Sequence, residues 1–394
     1  MLIGLVGKPS VGKSTFFKSA TLAEVEIASY PFTTIKANHG VGYVKIDCID
    51  KEFNTQCNPS HGFCIDHNRF VPVELIDVAG LVPGASEGKG LGNRFLDDLR
   101  QADVFVHIVD VSGELNEEGK PTKDHDPCND VVFLENELNK WYYNILMKVW
   151  RSFARKTEME KTKFSEAVVK QFSGLKVNEE QVKEVLRKSN LPEKASMWND
   201  EELMEFASRL RKKSKPMIIA ANKIDLSNGK KNYEKIKENF PDLVVIPCSA
   251  DSELALREAT KSGLIKYIPG EKDFKIIGEL NKKQKDALEK IKKNVLDKFD
   301  KGTGVQFVLN CAVFDLLRYV AIFPASANKL SDSKGNILPD CFLLPEASTA
   351  LDFAYHLHSD FGKNFIKAID ARTKRALGKS YELKHRDALE IVTR

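Results

Sequence analysis

The chain has 394 residues, enough for two to four domains at roughly 100–200 residues each. Hydrophobic residues make up 42% and charged residues 29%, which excludes a wholly disordered chain, a collagen and a small disulfide scaffold. Lys plus Arg is 60 and Asp plus Glu is 56, so the net charge of +4 neither announces nor excludes a nucleic-acid partner, because a sum hides patches.

Short β-branched apolar runs at Leu2–Val6, Val71–Ile76, Val104–Val109, Met217–Ala221 and Leu243–Ile246 predict strands buried on both faces. Helical stretches such as Lys13–Leu22 and Leu91–Gln101 fall between them. The alternation predicts an α/β domain with a mostly parallel sheet. Residues 112–215 lack strand character. Phe133, Leu134, Leu138, Trp141, Ile145 and Val149 recur at steps of three to four and predict a helix with one apolar face. Further helical pattern covers Phe164–Phe172 and Glu201–Leu210, with breaks at Leu191-Pro192 and Asn199-Asp200. A Lys-rich helix is expected over Glu279–Phe299, then Gly302-Thr303-Gly304 punctuates the chain and a second apolar helix runs to about Leu317. The tail predicts a small α+β unit, with strands at Tyr319–Phe323, Cys341–Leu344 and Leu389–Val392 and a helix at Ala350–His358. The expected domains are 1–111 with 216–270, a helical insertion at 112–215, a helical connector at 271–317 and the tail at 318–394.

Seven Cys lie scattered along the chain, no run of 18 apolar residues occurs, and the N-terminus lacks a basic leader and a cleavage site. These features predict a cytoplasmic protein with reduced thiols and no membrane span.

Gly7-Lys8-Pro9-Ser10-Val11-Gly12-Lys13-Ser14 fits G-x-x-x-x-G-K-[ST], after a strand and before a helix. Such a loop aims backbone N–H groups at polyanionic phosphate, and the next helix adds its positive end. Lys13 would reach the β- and γ-phosphate oxygens, Ser14 would bind Mg²⁺, and Thr15 completes the set. Asp77 ends a buried strand and is followed by Val78-Ala79-Gly80. Its carboxylate suits a Mg²⁺ water and the Gly80 N–H suits the γ-phosphate. Asn222-Lys223-Ile224-Asp225 follows the strand Met217–Ala221. One carboxylate at Asp225 can accept both N1–H and the N2 amine of guanine. The Lys223 stem can lie along the base, and Asn222 can tie this loop to the phosphate loop. Cys248-Ser249-Ala250 can offer a backbone N–H to guanine O6. All four motifs stand at strand carboxyl ends, where α/β sheets bind ligands.

With these motifs in this order, the sequence resembles the Obg superfamily of translation-factor-class P-loop GTPases. Within it, the sequence resembles the YchF-like branch in its archaeal form. Tyr30-Pro-Phe-Thr-Thr34 resembles the family's switch I, and Asp77-Val-Ala-Gly-Leu-Val-Pro-Gly-Ala-Ser-Glu-Gly-Lys-Gly-Leu-Gly92 its switch II. The tail, through Phe342–Ala354 and His385–Val392, resembles a TGS domain, a β-grasp-like module. The resemblance implies GTP and GDP as ligands with Mg²⁺ held by Ser14, Thr34 and Asp77, and a ribosomal or RNA-containing partner. Thr34 would meet Mg²⁺ and the γ-phosphate, with Thr33 as the alternative.

Three departures matter. Leu81 follows Gly80, where Ras-like enzymes place the Gln that orients the attacking water, so slow intrinsic hydrolysis is expected. Ser10 stands where potassium-stimulated relatives carry Asn, which leaves monovalent-cation stimulation open. Asp225 ends a motif that bacterial and eukaryotic YchF-type proteins often end with Glu while preferring ATP, so this chain is expected to choose GTP. A nucleotide-gated RNA-binding scaffold with incidental hydrolysis is the rival reading, and an ATPase switch a third.

Cys48, Cys57 and Cys64, with His61 and His67, offer soft ligands for structural zinc without the usual C-x₂₋₄-C knuckle, and free thiols are the competing reading. His107 beside Asp110 reads as a core-edge histidine. Arg211-Lys-Lys-Ser-Lys215 reads as a solvated helix end or a phosphate-contacting patch. Lys363, Lys367, Arg372, Lys374, Arg375, Lys379, Lys384 and Arg386 stand among only two acidic residues, a local charge of +6 suited to phosphate backbones. The oligomeric state stays open.

Overall fold

The structure, a computed structural model, describes residues 1–22, 39–78, 80, 99–160, 162–326, 330–332 and 334–394. Thr33, Thr34 and Leu81, and with them most of both switch motifs, lie outside the described residues. The chain forms two units.

The first unit comprises Met1–Ser19, Asn38–Gly40 and Glu74–Val308. Its sheet is parallel: β1 (Leu2–Val6) lies between the end of β4 (Asn68–Asp77) and β5 (Val104–Asp110), followed by β6 (Met217–Asn222) and β7 (Val244–Pro247). Every residue of β1, β5 and β6 is buried, which is why these strands read as unbroken apolar runs. All five predicted runs of this sheet are strands. The register sets Asp110 opposite Asn222 and Leu5 opposite Asp77, so the polar motifs end at one edge of the sheet.

The helices at Pro127–Met147, Trp150–Met159, Phe164–Gln171, Glu179–Lys188 and Asp200–Ser214 lie in the chain between β5 and β6. Asp126 caps the first, accepting from the Cys128 N–H at 3.1 Å, with Pro127 at the opening position. Asn199 and Glu202 form a capping box on the last. Leu134, Leu138 and Trp141 of the predicted stripe are buried in a core shared with Leu203, Phe206 and Leu210. The basic stretch at the end of Asp200–Ser214 is not a solvated patch throughout. Arg211 is buried and pairs with Glu135 at 2.6 Å, and buried Lys215 donates to the Arg100 and Ala102 carbonyls. The expected Lys-rich helix is shorter, Lys282–Ile291, and a π-helical turn at Lys292–Leu296 follows it.

The second unit brings Val41–Val73 together with Leu309–Arg394. Residues 41–73, which the sequence reading counted with the nucleotide-binding domain, thus group with the tail. They carry most of β2 (His39–Asp47), a β3 (Phe63–Ile65) hairpin and the start of β4. The tail is a five-stranded sheet in the order β11 (Phe342–Pro345), β10 (Tyr319–Pro324), β14 (Ala388–Thr393), β12 (Phe365–Asp370), β13 (Ala376–Leu377). The helix Ala350–Leu357 contributes Phe353 to its core, beside Ile322, Leu344, Leu383 and Leu389. Six of the eight basic tail residues are exposed. Arg372 and Arg386 are not free: both hold Glu52 at 2.5 Å.

Candidate nucleotide site

The phosphate loop joins β1 to the helix Lys13–Thr21. Gly12 adopts φ +97°, and a Cβ there would collide with the Asn222 side chain, so only glycine fits. Ser10 also stands in the left-handed region, at φ +65°, which turns the loop into a concave nest of N–H groups. The Lys13 ammonium donates to the Gly7 and Lys8 carbonyls at 3.1 and 2.8 Å and is buried, so it is held across the loop mouth. Burial pulls its pKa down to about 8, with Asp77 acting in the opposite sense.

Ser14, which is exposed, donates its hydroxyl to Asp77 Oδ2 at 2.8 Å. A hydroxyl and a carboxylate meeting at the loop mouth are the oxygen donors a magnesium ion takes, so the residues fit Mg²⁺. Gly80 lies against Pro9 and thus reaches the same mouth. Val11 and Phe16 are buried beneath it. Lys8, counted among the cradle residues, turns its side chain away. Its ammonium pairs with buried Asp130 at 2.7 Å and donates to the Leu115 carbonyl at 2.9 Å.

At the other end, buried Asn222 donates to the Val11 carbonyl at 2.8 Å and accepts from the Ala250 N–H at 3.0 Å. One side chain thereby fastens the phosphate loop to the Ser249-Ala250 loop. Lys223, at φ +63°, reaches Asp110 Oδ2 at 2.6 Å. Asp110 Oδ1 is in turn held by the Ser112 N–H and hydroxyl at 2.9 and 2.6 Å. Asp225 is exposed and open to a base. The Ser249 N–H donates to the Thr303 carbonyl at 2.8 Å. The Thr303 hydroxyl donates to fully buried Glu253, which also accepts from the Tyr267 hydroxyl at 2.8 Å and pairs with Arg257 at 2.7 Å.

Sequence reasoning passed over three of these groups. In the sequence Asp110 stands out only as a neighbour of His107, although a carboxylate closing a buried strand beside Asn222-Lys223 is the same signal that Asp77 gives. Gly302-Thr303-Gly304 reads as punctuation in the sequence. Glu253 carries no local signal, since its partners come from distant segments. His107 is fully buried and its pKa is pulled down to about 3 by burial, helped by Lys13 and Lys8.

Cys48, Asp50, Cys57 and Cys64 also converge, within the second unit. His61 does not join them, since it pairs with Asp340 at 2.9 Å, and His67 reaches them only through Asp50 at 2.9 Å. Among the described residues, no helix is long and apolar enough to cross a membrane.

Comparison with known proteins agrees with this geometry. Residues 2–140 match the family model described as 50S ribosome-binding GTPase. Residues 220–326 match the Obg-like GTPase YGR210-like, G4 motif-containing domain, and residues 334–393 match the TGS domain. The chain is 49% identical to the uncharacterized GTP-binding protein MJ1332 of Methanocaldococcus jannaschii, over 100% of this chain and 99% of that protein. It is 29% identical to the ribosome-binding ATPase YchF of Bacillus subtilis, over 93% and 87%. The crystal structure of a GTP binding protein from Pyrococcus horikoshii OT3 superposes with a TM-score of 0.80 at 40% identity, covering 100% of both chains. The chain therefore belongs to the Obg superfamily of P-loop GTPases, in its YchF-like branch, and its tail is a TGS domain.

Proposed function

We propose that the chain is a Mg²⁺-dependent switch that binds GTP, hydrolyses it slowly to GDP and phosphate, and engages a ribosome or RNA partner. The observation that carries the reading is Asn222, whose side chain bonds both the phosphate loop and the loop expected to meet guanine. In this reading Gly7–Thr15, with Gly80, cradles the phosphates, and Lys13 neutralises charge on the transferring phosphoryl group. Ser14, Thr34 and Asp77 would hold Mg²⁺, which when bound neutralises phosphate oxygens. Asn222, Lys223, Asp225, Ser249 and Ala250 read the base. In this reading the nucleotide domain takes residues 1–111 and 216–270 apart from 41–73, which group with the tail, while 112–215 is the insertion, 271–317 the connector and 318–394 the reporting tail. Competition between GTP and ATP for the purified protein tests the choice of nucleotide, and equal affinities would defeat it. Rapid turnover by the protein alone would defeat the slow rate that Leu81 implies.

The pKa of Lys13 adds a pH prediction. In the nucleotide-free protein this lysine is neutral above about pH 8. Bound polyphosphate favours the ammonium, so its pKa rises on binding and a proton is taken up. Affinity therefore holds below pH 8 and falls above it, by up to about tenfold per pH unit. Calorimetry in two buffers of different ionisation heat reads this directly. Proton uptake is expected at about pH 9 and little at about pH 7; identical uptake at both would refute it.

For the partner, the name of the Bacillus subtilis relative and the six exposed basic residues Lys363, Lys367, Lys374, Arg375, Lys379 and Lys384 point the same way. Co-sedimentation with ribosomes in GTP-analogue, GDP and nucleotide-free states across a salt series is the test. Binding is expected to weaken with salt, and each Lys→Ala change on this segment to lower the salt slope by about 1. Binding indifferent to nucleotide would remove the switch, and with it the nucleotide-gated scaffold.

A further inference from the structure

We propose that Cys48, Cys57 and Cys64, with a carboxylate oxygen of Asp50, form a tetrahedral zinc site in the second unit. The three Sγ atoms and the Asp50 oxygen all lie within 4.8 Å of one another. Cys48 and Cys57 Sγ are 3.4 Å apart, and Cys64 Sγ is 3.9 Å from Asp50 Oδ2. Four ligands around zinc at about 2.3 Å stand about 3.8 Å from each other, close to both of these separations. All three cysteines are unbridged thiols, and Cys48, Asp50 and Cys57 are buried.

The surroundings are those of a metal's outer shell. His67 Nδ1 holds the other Asp50 oxygen at 2.9 Å, and the Cys57 N–H donates to Oδ2 at 2.9 Å. Fully buried Arg69 reaches Cys57 Sγ at 3.7 Å. Three thiolates and a carboxylate carry four negative charges. Zinc and Arg69 supply three positive ones. Without a cation, soft thiol sulfurs are packed against a buried carboxylate with little to gain. The ligand spacing, C-x₈-C-x₆-C, is wider than a zinc knuckle, and it is the β3–β4 hairpin that closes it.

The site sits under a clasp within this unit. Ser60 N–H donates to the Pro339 carbonyl at 2.9 Å, Arg69 donates to the Leu338 and Pro339 carbonyls at 2.9 and 3.0 Å, and Glu52 holds Arg372 and Arg386. Zinc would fix the loop that carries these groups, so its loss should loosen the tail.

The test is elemental analysis of the full chain purified without added metal or chelator. About one zinc per chain is expected. After removal of the metal, Co²⁺ should restore a thiolate-to-cobalt charge-transfer band and tetrahedral d–d bands. Cys64→Ser should abolish the charge-transfer spectrum of the full set. His67→Ala keeps every ligand and should weaken zinc binding roughly tenfold to a hundredfold. Cys128→Ser, in the first unit, should leave metal content as in the parent. Should Cys64→Ser not fold, Co²⁺ titration of the parent decides alone. A parent chain free of metal and showing no cobalt charge transfer overturns the proposal, whether thiol titration finds every cysteine reactive or two joined in a disulfide. Nucleotide binding enters none of these readouts.

Discussion

Asp225→Asn is expected to exchange guanine for xanthine as the preferred base. Guanine offers two donors on one edge, N1–H and the N2 amine, and a carboxylate accepts both. Hydrogen bonds to a charged group contribute about 1.5–3 kcal/mol each, so losing the pair lowers GTP affinity by roughly two to four orders of magnitude. Xanthine carries a carbonyl where guanine has its amine, and an amide can donate to that carbonyl while accepting from N1–H. The variant should therefore bind xanthosine triphosphate more tightly than GTP. Asp225 is exposed and Asn222 makes the buried contacts of the motif, so the fold should survive. Displacement of a fluorescent nucleotide by the GTP, ATP and xanthosine forms measures the change. Unaltered GTP affinity in the variant would remove Asp225 from base reading. Parent protein that binds ATP as well as GTP would place it with the relative named an ATPase.

What the sequence made legible follows from how local each signal is. β1, β5 and β6 are visible because burial on both faces leaves unbroken apolar runs, whereas β7 shows an apolar run with Val244 exposed and only Ile246 buried, and each polar motif begins where such a run stops. β2 escaped because Gly40 and Gly42 interrupt it and the charged Lys45 and Asp47 flank its buried Ile46. β12 escaped because it lies inside the basic segment, with exposed Ile366 and Lys367 and only Ala368 buried. Side-chain destinations were the least legible. Arg211, Lys215, Arg372 and Arg386 read as free cations, yet each meets an acceptor brought close by another segment. Composition counts charges, while the fold decides which remain available. The cysteine cluster shows the same limit, since Asp50 rather than His61 completes it.

Lys8 is the sharpest instance, and Asp130→Ala is expected to cost about 3–5 kcal/mol of stability. Lys8 and Asp130 expose only 2% and 4% of their side chains, so removing the carboxylate leaves an ammonium buried against little more than the Leu115 carbonyl. The insertion presses on the phosphate loop at a second point. Gly119, at φ +75°, brings its Cα so near the Pro9 carbonyl that a Cβ would lie 2.6 Å from the oxygen. His125 Nε2 holds the other Asp130 oxygen at 2.9 Å. The pair thus couples the start of the helix Pro127–Met147 to the loop that cradles phosphate. Burial raises the Asp130 pKa despite Lys8 and His125, so the folded protein binds this proton more tightly than the unfolded chain. This group's contribution to stability therefore grows as pH falls through the raised pKa, the reverse of an ordinary ion-paired carboxylate. Asp130→Asn, which keeps an acceptor without the charge, should be milder than Asp130→Ala. Lys8→Met with Asp130→Leu should recover much of the loss, because a buried pair can be replaced by apolar side chains at little cost. Denaturant melts of the four proteins, each with and without nucleotide, separate stability from coupling. If Asp130→Ala melts like the parent, the pair is not buried in solution. If stability falls but the gain from added nucleotide is unchanged, the insertion steadies the fold without reaching the phosphate loop.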